Sequence, residues 1–546
     1  MSRIGHYVRP LLPAAADYRD VRRTWRGDLL AGLTVGIVAL PLALAFGVSS
    51  GAGAEAGLVT AIVAGIVAAV FGGSHLQVSG PTGAMVVVLG PIVAVHGIGA
   101  VPIVAVMAGC IVLVAGFLKL GRTVSFIPWP VIEDFTLGIA AIIFLQQVPT
   151  ALGVTGTSGR NALLVAIDSV AKATGTGVLW SLGTVAVVAA VMIAAPRIHR
   201  QLPGSLIGIV LVSVIAALVH APLTRIGALP PSLPSPAVPI ADPAVLGALI
   251  GPAFAVAALA AIESLLSARV AATMSPQGLY DADRELVGQG LASIASGFFG
   301  GMPATGAIAR TAVNIRAGAR TRSAAIVHAL VLVAVVYLAA GVVSQIPQAA
   351  LAGVLMVTAT RMVSPSTVRR VITSTRSDAL VFVLTAVVTV SFDLIIAVGI
   401  GIAAAAFFAL RRLARSGTVT REELPAPPHP GDDRIAIFRL EGALFFGAAD
   451  RLLESVTSID DVSVVVLRLS QLQALDATGA RVITEMVTRL ERRGVTVLIK
   501  RLTPEHLKVA TRVGVIASLR HHNHLFDDLD AAVEHARSHV ARSVTA

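Results

Sequence analysis

Pro81-Thr82-Gly83-Ala84 and Pro303-Ala304-Thr305-Gly306-Ala307 say nearly the same thing, and Thr82 and Thr305 stand 223 positions apart. In each, small and flexible residues interrupt an apolar stretch, and a new apolar or helical run follows. Paired interrupted segments in the two halves of a membrane chain point to the substrate site of a transporter. A helix that starts inside a bilayer aims its unpaired N–H groups and the positive end of its dipole at whatever lies there. Two such ends facing each other make an anion site. The expected anion contacts are therefore Thr82, Gly83, Ala84, Thr305, Gly306 and Ala307.

Composition carries the reading outward. The 546 residues are 55% hydrophobic and 13% charged, against about 25% charged in a soluble domain, so most of the chain belongs in lipid. Fifty glycines with only 4% aromatics fit helices whose small residues let backbones approach. The single cysteine, Cys110, forms no internal disulfide and reads as buried filler. A net charge of +11 raises nucleic acid as a partner, but the basic residues cluster at the ends of apolar runs, which argues for topology instead. The first 27 residues are basic and polar with no early apolar core, so no signal peptide is expected.

Apolar runs read as spans cover roughly 28–48, 56–71, 82–96, 101–118, 131–148, 177–195, 204–220, 247–270, 286–300, 306–317, 323–343, 347–362, 377–392 and 394–413. Of these fourteen, the third and tenth are too short to cross a ~30 Å core, and they follow the twin motifs. Seven plus seven puts the break on the third span of each half, the pattern of an inverted repeat. Charge tests the count independently. With Arg19, Arg22, Arg23 and Arg26 inside, basic residues follow the even spans: Lys119 and Arg122; Arg197 and Arg200; Arg316, Arg320 and Arg322; Arg369 and Arg370; Arg411, Arg412 and Arg415. The outward, proline-rich 221–243 stretch has only Arg225. The positive-inside rule then puts both termini in the cytoplasm of a multi-pass protein of the cell (inner) membrane. Residues 160–174 read as an amphipathic interfacial piece.

The expected organisation is a basic N-terminus (1–27), a transmembrane transport domain (28–415; repeats 28–220 and 247–413), a Pro-rich linker (416–430) and a cytoplasmic α/β domain (431–546). In the last, 434–440, 462–469 and 495–500 read as strands and 477–493 as a helix.

Glu263 lies deep in the eighth span, where a carboxylate costs several kcal/mol unless it is paired, protonated or facing water. Ser267 follows one helical turn later on the same face, with Ser264 adjacent. Carboxylate and hydroxyl together suit a sodium ion, with Gly306 nearby, or the carboxylate carries a proton. The plainer reading is an ion pair with Arg310 or a cap on a broken helix. Arg310, one turn beyond Gly306-Ala307, offers a fixed positive charge beside an anion. Thr82 and Thr305 stand at or next to N-cap positions, so simple capping competes with anion contact. Leu42 and Phe46 in the first span could line a cavity or face lipid. There is no Walker A, dinucleotide fingerprint or Cys/His metal spacing, and the chain is not expected to be an enzyme or to hold a cofactor other than a co-transported Na+. The histidine cluster His521-His522-Asn523-His524 reads as a solvated loop rather than a metal site.

These residues resemble the sulfate permease (SulP) family over nearly the whole chain. Gly27-Asp28-Leu29-Leu30-Ala31-Gly32-Leu33-Thr34 with Ala39-Leu40-Pro41 is similar to its first span, Val78-Ser79-Gly80-Pro81-Thr82-Gly83 to its third, and Gly300-Gly301-Met302-Pro303 through Arg310-Thr311-Ala312-Val313-Asn314 to its ninth-to-tenth junction. Residues 431–546, with Leu475-Asp476-Ala477-Thr478-Gly479, resemble its STAS domain. The resemblance implies a fourteen-span fold whose core domain moves against a gate domain like an elevator, a homodimer, and a STAS role in assembly, trafficking or regulation. Ala39–Gly53 and Ala260–Ser267 look like the cyanobacterial sodium-dependent bicarbonate transporters, in which residues matching Glu263 and Ser267 help bind sodium. Glu263 stands where that group has Asp, and Ile308 where it has a hydroxyl, which keeps proton coupling open. Ala477 replaces the serine phosphorylated in related anti-sigma-factor antagonists, excluding that switch at this position. The expectation is a secondary active transporter of bicarbonate or sulfate coupled to Na+ or H+. The rivals are an uncoupled channel or exchanger, a dicarboxylate transporter, and an anion sensor that signals through STAS.

Overall fold

A computed structural model describes residues 9–122, 129–154, 161–199, 202–240, 242–363, 365–374, 418–425, 427–444, 461–500 and 502–545, with isolated residues between 376 and 408. The chain forms two compact units, residues 1–402 and 403–546.

In the first unit the apolar runs are helices: α1 (Val21–Ser49), α2 (Ala54–Phe71), α3 (Gly83–His96), α4 (Ala100–Phe117), α5 (Trp129–Ala151), α6 (Ala162–Lys172), α7 (Thr176–Ile198), α8 (Gly204–Leu218), α9 (Pro243–Met274), α10 (Ala282–Phe298), α11 (Ile308–Arg316), α12 (Ser323–Val343), α13 (Gln348–Met362) and α14 (Pro365–Ser374). Among the described residues, six (α1, α2, α4, α7, α9 and α12) are long and apolar enough to cross a membrane. The segments expected at 377–392 and 394–413 lie almost wholly outside the described residues. Residues 160–174 do carry a helix, α6, capped by the Asn161 side chain, which accepts from Leu163 N and Leu164 N. Many large apolar side chains face outward, Leu338 at 86% exposure and Leu218 at 74% among them, a surface that only lipid or protein can cover.

Small residues set the helix spacing. A Cβ on Gly109 in α4 would lie 2.7 Å from Gly290 O in α10, and one on Gly290 would lie 2.8 Å from Gly109 O. The two backbones touch, as membrane helices with small residues allow. Cys110 corrects the expectation of buried filler: it is exposed, because the neighbouring Ala108 and Gly109 take the buried face of α4. The α2 helix contains one π-helical turn, Thr60–Ala64. Thr60 Oγ1 there donates to Ala56 O (2.6 Å) and accepts from Met302 N (2.8 Å), tying α2 to the second proline motif.

The second unit has a five-stranded sheet ordered β3 (Thr418–Glu422), β4 (Ile435–Leu444), β5 (Val464–Leu475), β6 (Thr496–Lys500) and β7 (Leu525–Phe526); only the β3–β4 pair is antiparallel. Side chains alternate between faces along each strand. On β5, Val465 and Leu467 pack beneath α15 (Ala477–Arg492) and α16 (Pro504–Val513), while Val464 and Val466 meet the C-terminal α18 (Leu529–Thr545); the short α17 (Val515–Ser518) lies between α16 and β7 in the chain. Cover on both faces explains why 462–469 is nearly continuously apolar. Asp476 caps α15, accepting from Gly479 N at 2.7 Å. The proline-based linker boundary is corrected: Thr418–Glu422, inside the expected 416–430 linker, is an edge strand of this sheet.

Candidate functional site

The twin motifs meet. Ser79–Gly80 (β1) and Thr305–Gly306 (β2) form a two-residue antiparallel ladder, with Ser79 opposite Gly306 and Gly80 opposite Thr305. α3 starts just after β1 and α11 just after β2. Gly306 leaves room for its neighbours: a Cβ there would lie 2.0 Å from Gln77 Nε2 and 3.1 Å from Ser264 Cα.

Glu263 of α9 joins the two copies. Thr82 Oγ1 and Thr305 Oγ1 each donate to Glu263 Oε2 at 2.7 Å, and the two hydroxyl oxygens are 3.1 Å apart. The threonines therefore do not cap their helices: α3 and α11 have no side-chain cap. Glu263 itself is half-buried. One carboxyl oxygen thus receives a hydroxyl from each copy and ties both breaks to a single point.

The remaining expected site residues divide into two groups. Gly83 and Ala84 are buried in the first turn of α3, whose N–H groups have no intrahelical acceptor. Phe46 is buried beside them, its ring 3.6 Å from where a Gly83 Cβ would stand; Leu42 is partly buried and packs into the main core. On the other side, Gly306 N donates to Ser264 Oγ (3.0 Å) and Ala307 N to Val78 O (2.9 Å), so those two N–H groups are used by the protein. Ser267 is one turn from Glu263, yet its hydroxyl pairs with Thr311 Oγ1 at 3.1 Å. Arg310 is 2% exposed. Its Nη2 donates to Pro81 O at 2.6 Å, its Nη1 has no hydrogen-bond partner, and no salt bridge joins it to Glu263 among the described residues. The arginine crosses from the second copy to brace the first.

Sequence reasoning missed the polar layer behind the ladder. Glu285, 2% exposed, accepts from Ser74 N (2.9 Å), Gln77 Nε2 (2.8 Å) and Gln289 Nε2 (3.0 Å), and Gln289 also donates to Ser79 Oγ of β1 (2.6 Å). The i, i+4 pair Glu285/Gln289 was the available signal, but a charge at a span boundary reads as a loop end. Asp28, 1% exposed, receives Arg320 N, Thr321 N and Thr321 Oγ1, fastening the turn before α12.

Helix ends, interior carboxylate and paired breaks are those of a multi-pass membrane transporter for anions rather than an enzyme. The sulfate permease family model matches residues 25–385 and the STAS domain model residues 426–532; the chain belongs to the sulfate permease family. It is 33% identical over 514 residues to the putative sulfate transporter YvdB of Bacillus subtilis, covering 92% of this chain and 96% of that one. It is 30% identical over 538 residues to the bicarbonate transporter BicA of Synechocystis, 94% of each. Among solved structures, the transmembrane domain of a cyanobacterial BicA matches at a TM-score of 0.62 and 32% identity, over 69% of this chain and 97% of that one. The overall structure of SLC26A9 shares the fold at a TM-score of 0.84 and 17% identity, over 100% and 96%.

Proposed function

We propose that the protein is a secondary active transporter that carries bicarbonate or sulfate into the cell together with Na+ or H+. The observation that carries this reading is the convergence of Thr82 and Thr305 on Glu263. The anion binds at the α3 end, where the N–H groups of Gly83 and Ala84 and the helix dipole supply positive potential. Arg310 adds a fixed charge behind it. The coupling ion binds at Glu263, through the carboxylate and the adjoining threonine oxygens for Na+ or directly on the carboxylate for H+. Cargo of opposite sign then offsets charge inside a medium where isolated charge is expensive.

The same reading makes the fold fourteen spans in two inverted halves, moving as an elevator within a homodimer, with both termini cytoplasmic and the STAS unit regulatory or assembling. Uptake of labelled bicarbonate, sulfate and fumarate into proteoliposomes, each with and without sodium and pH gradients, is the test. Gradient-driven uptake of one of the two inorganic anions supports the proposal. Flux indifferent to both gradients replaces it with an uncoupled pathway, fumarate preference with a dicarboxylate carrier, and binding without flux with a sensor.

A further inference from the structure

The histidine run at 521–524 is not simply a solvated loop. His524 is 2% exposed, in the short turn His522–His524 that enters β7. It packs against two histidines from α18, His535 and His539, with ring centroids 5.5 Å from each. His535 and His539 are one helical turn apart and share a face. One ring nitrogen from each of the three lies within 4.8 Å of the others.

We propose that His524, His535 and His539 form a site for a divalent d-block ion, Zn2+ in the first instance, in the STAS unit. His535 Nε2 and His539 Nε2 are 3.2 Å apart. Two nitrogens at 2.0–2.1 Å from one ion at a tetrahedral angle lie about 3.3–3.4 Å apart, so this pair already has the spacing of two ligands. A hydrogen bond between these two rings would account for that contact but not for His524, whose buried Nδ1 has no partner. A shared ion satisfies all three rings and leaves a fourth position to water.

The chemistry of the donors selects the ion class. Three imidazoles without a carboxylate suit zinc, nickel, copper or cobalt rather than magnesium or calcium. The nearby cations are tied elsewhere: Arg542 donates Nε to Ser538 O and Nη2 to Ser538 Oγ, and Arg520 Nε lies 3.7 Å from Glu491 Oε2. The site lies in the second unit and uses none of the residues on which the transport reading rests.

The test uses the full chain in detergent, stripped of metal. Zn2+ titrated against a chromophoric chelator is expected to bind at one ion per chain, and Co2+ in its place is expected to give the intense visible bands of a tetrahedral site. Loss of an outer partner of a metal ligand typically costs 10–100-fold in affinity. The double variant His535→Gln/His539→Gln should therefore lose about 100-fold or more, while His429→Ala, an exposed histidine elsewhere, changes nothing. A thermal melt of the metal-free double variant, expected to match the parent, separates lost ligands from lost folding. Equal affinity in parent and double variant, weak octahedral Co2+ bands, or no binding by a folded parent each overturns the proposal.

Discussion

The two copies of the broken motif are alike in sequence and unlike in use. In the first, α3 begins immediately after Thr82, and its opening N–H groups, at Gly83 and Ala84, border the buried ring of Phe46. In the second, Gly306 and Ala307 stand between Thr305 and the start of α11, and their N–H groups are taken by Ser264 and Val78. The second copy also supplies Arg310, which reaches across to Pro81 of the first. The ladder thus joins two unequal halves: the N–H groups of the Gly83-Ala84 pair open a helix, whereas those of the matching Gly306-Ala307 pair are satisfied before their helix begins. Glu263 belongs to both, through one hydroxyl from each.

Changes that remove the brace should act most strongly. Arg310→Met leaves Pro81 O without its charged donor and Glu263 without a nearby positive charge; a hydrogen bond to a charged group contributes about 1.5–3 kcal/mol, so a lowered thermal midpoint in detergent and a roughly 100-fold fall in proteoliposome uptake are expected. An Arg310→Met protein that melts and transports normally would remove the bracing role. The threonines come next, at about tenfold each, and here the two halves should separate. Thr82→Val, beside the N–H groups that open α3, is expected to raise the KM for the anion, whereas Thr305→Val, in the second copy, should shift the dependence on sodium or pH. If both variants change the same parameter by the same factor, the division of labour is wrong. Ser264→Ala should act least. It frees a single buried N–H at a cost of about 1 kcal/mol, roughly fivefold in uptake, and an effect as large as that of Arg310→Met would mean that the second copy contacts the anion after all.

Much of this was legible in the chain because it follows from period and polarity. Apolar run lengths located the helices from α1 to α13 apart from the amphipathic α6, most to within a few residues, although α1 begins at Val21, seven residues before the expected boundary at Asp28; the shortness of the third and tenth runs marked the breaks. Glu263 and Arg310 stood out because charge inside apolar sequence is costly. The pairings were not legible, since each depends on contacts between residues far apart in the chain. Thr82 and Thr305 look like caps locally, and only the approach of α9 gives their hydroxyls a carboxyl acceptor. Ser267 similarly turns to Thr311 rather than towards Glu263. The edge strand Thr418–Glu422 was hidden by the prolines that follow it, and the histidine site by the turn and helix that bring positions 524, 535 and 539 together.

The central claim is that Glu263, held between the two breaks, couples anion movement to a cation. Glu263→Gln keeps the side-chain shape and can still accept from both threonines, but carries no charge. Uptake of the labelled anion by reconstituted parent and variant should be compared with the sodium or proton gradient imposed and then collapsed. The account predicts that the parent loses its uphill uptake when the gradient collapses, and that the variant, folded and able to equilibrate the anion, shows no response to the gradient at all. A variant whose uptake is driven by the gradient as strongly as the parent's would contradict it.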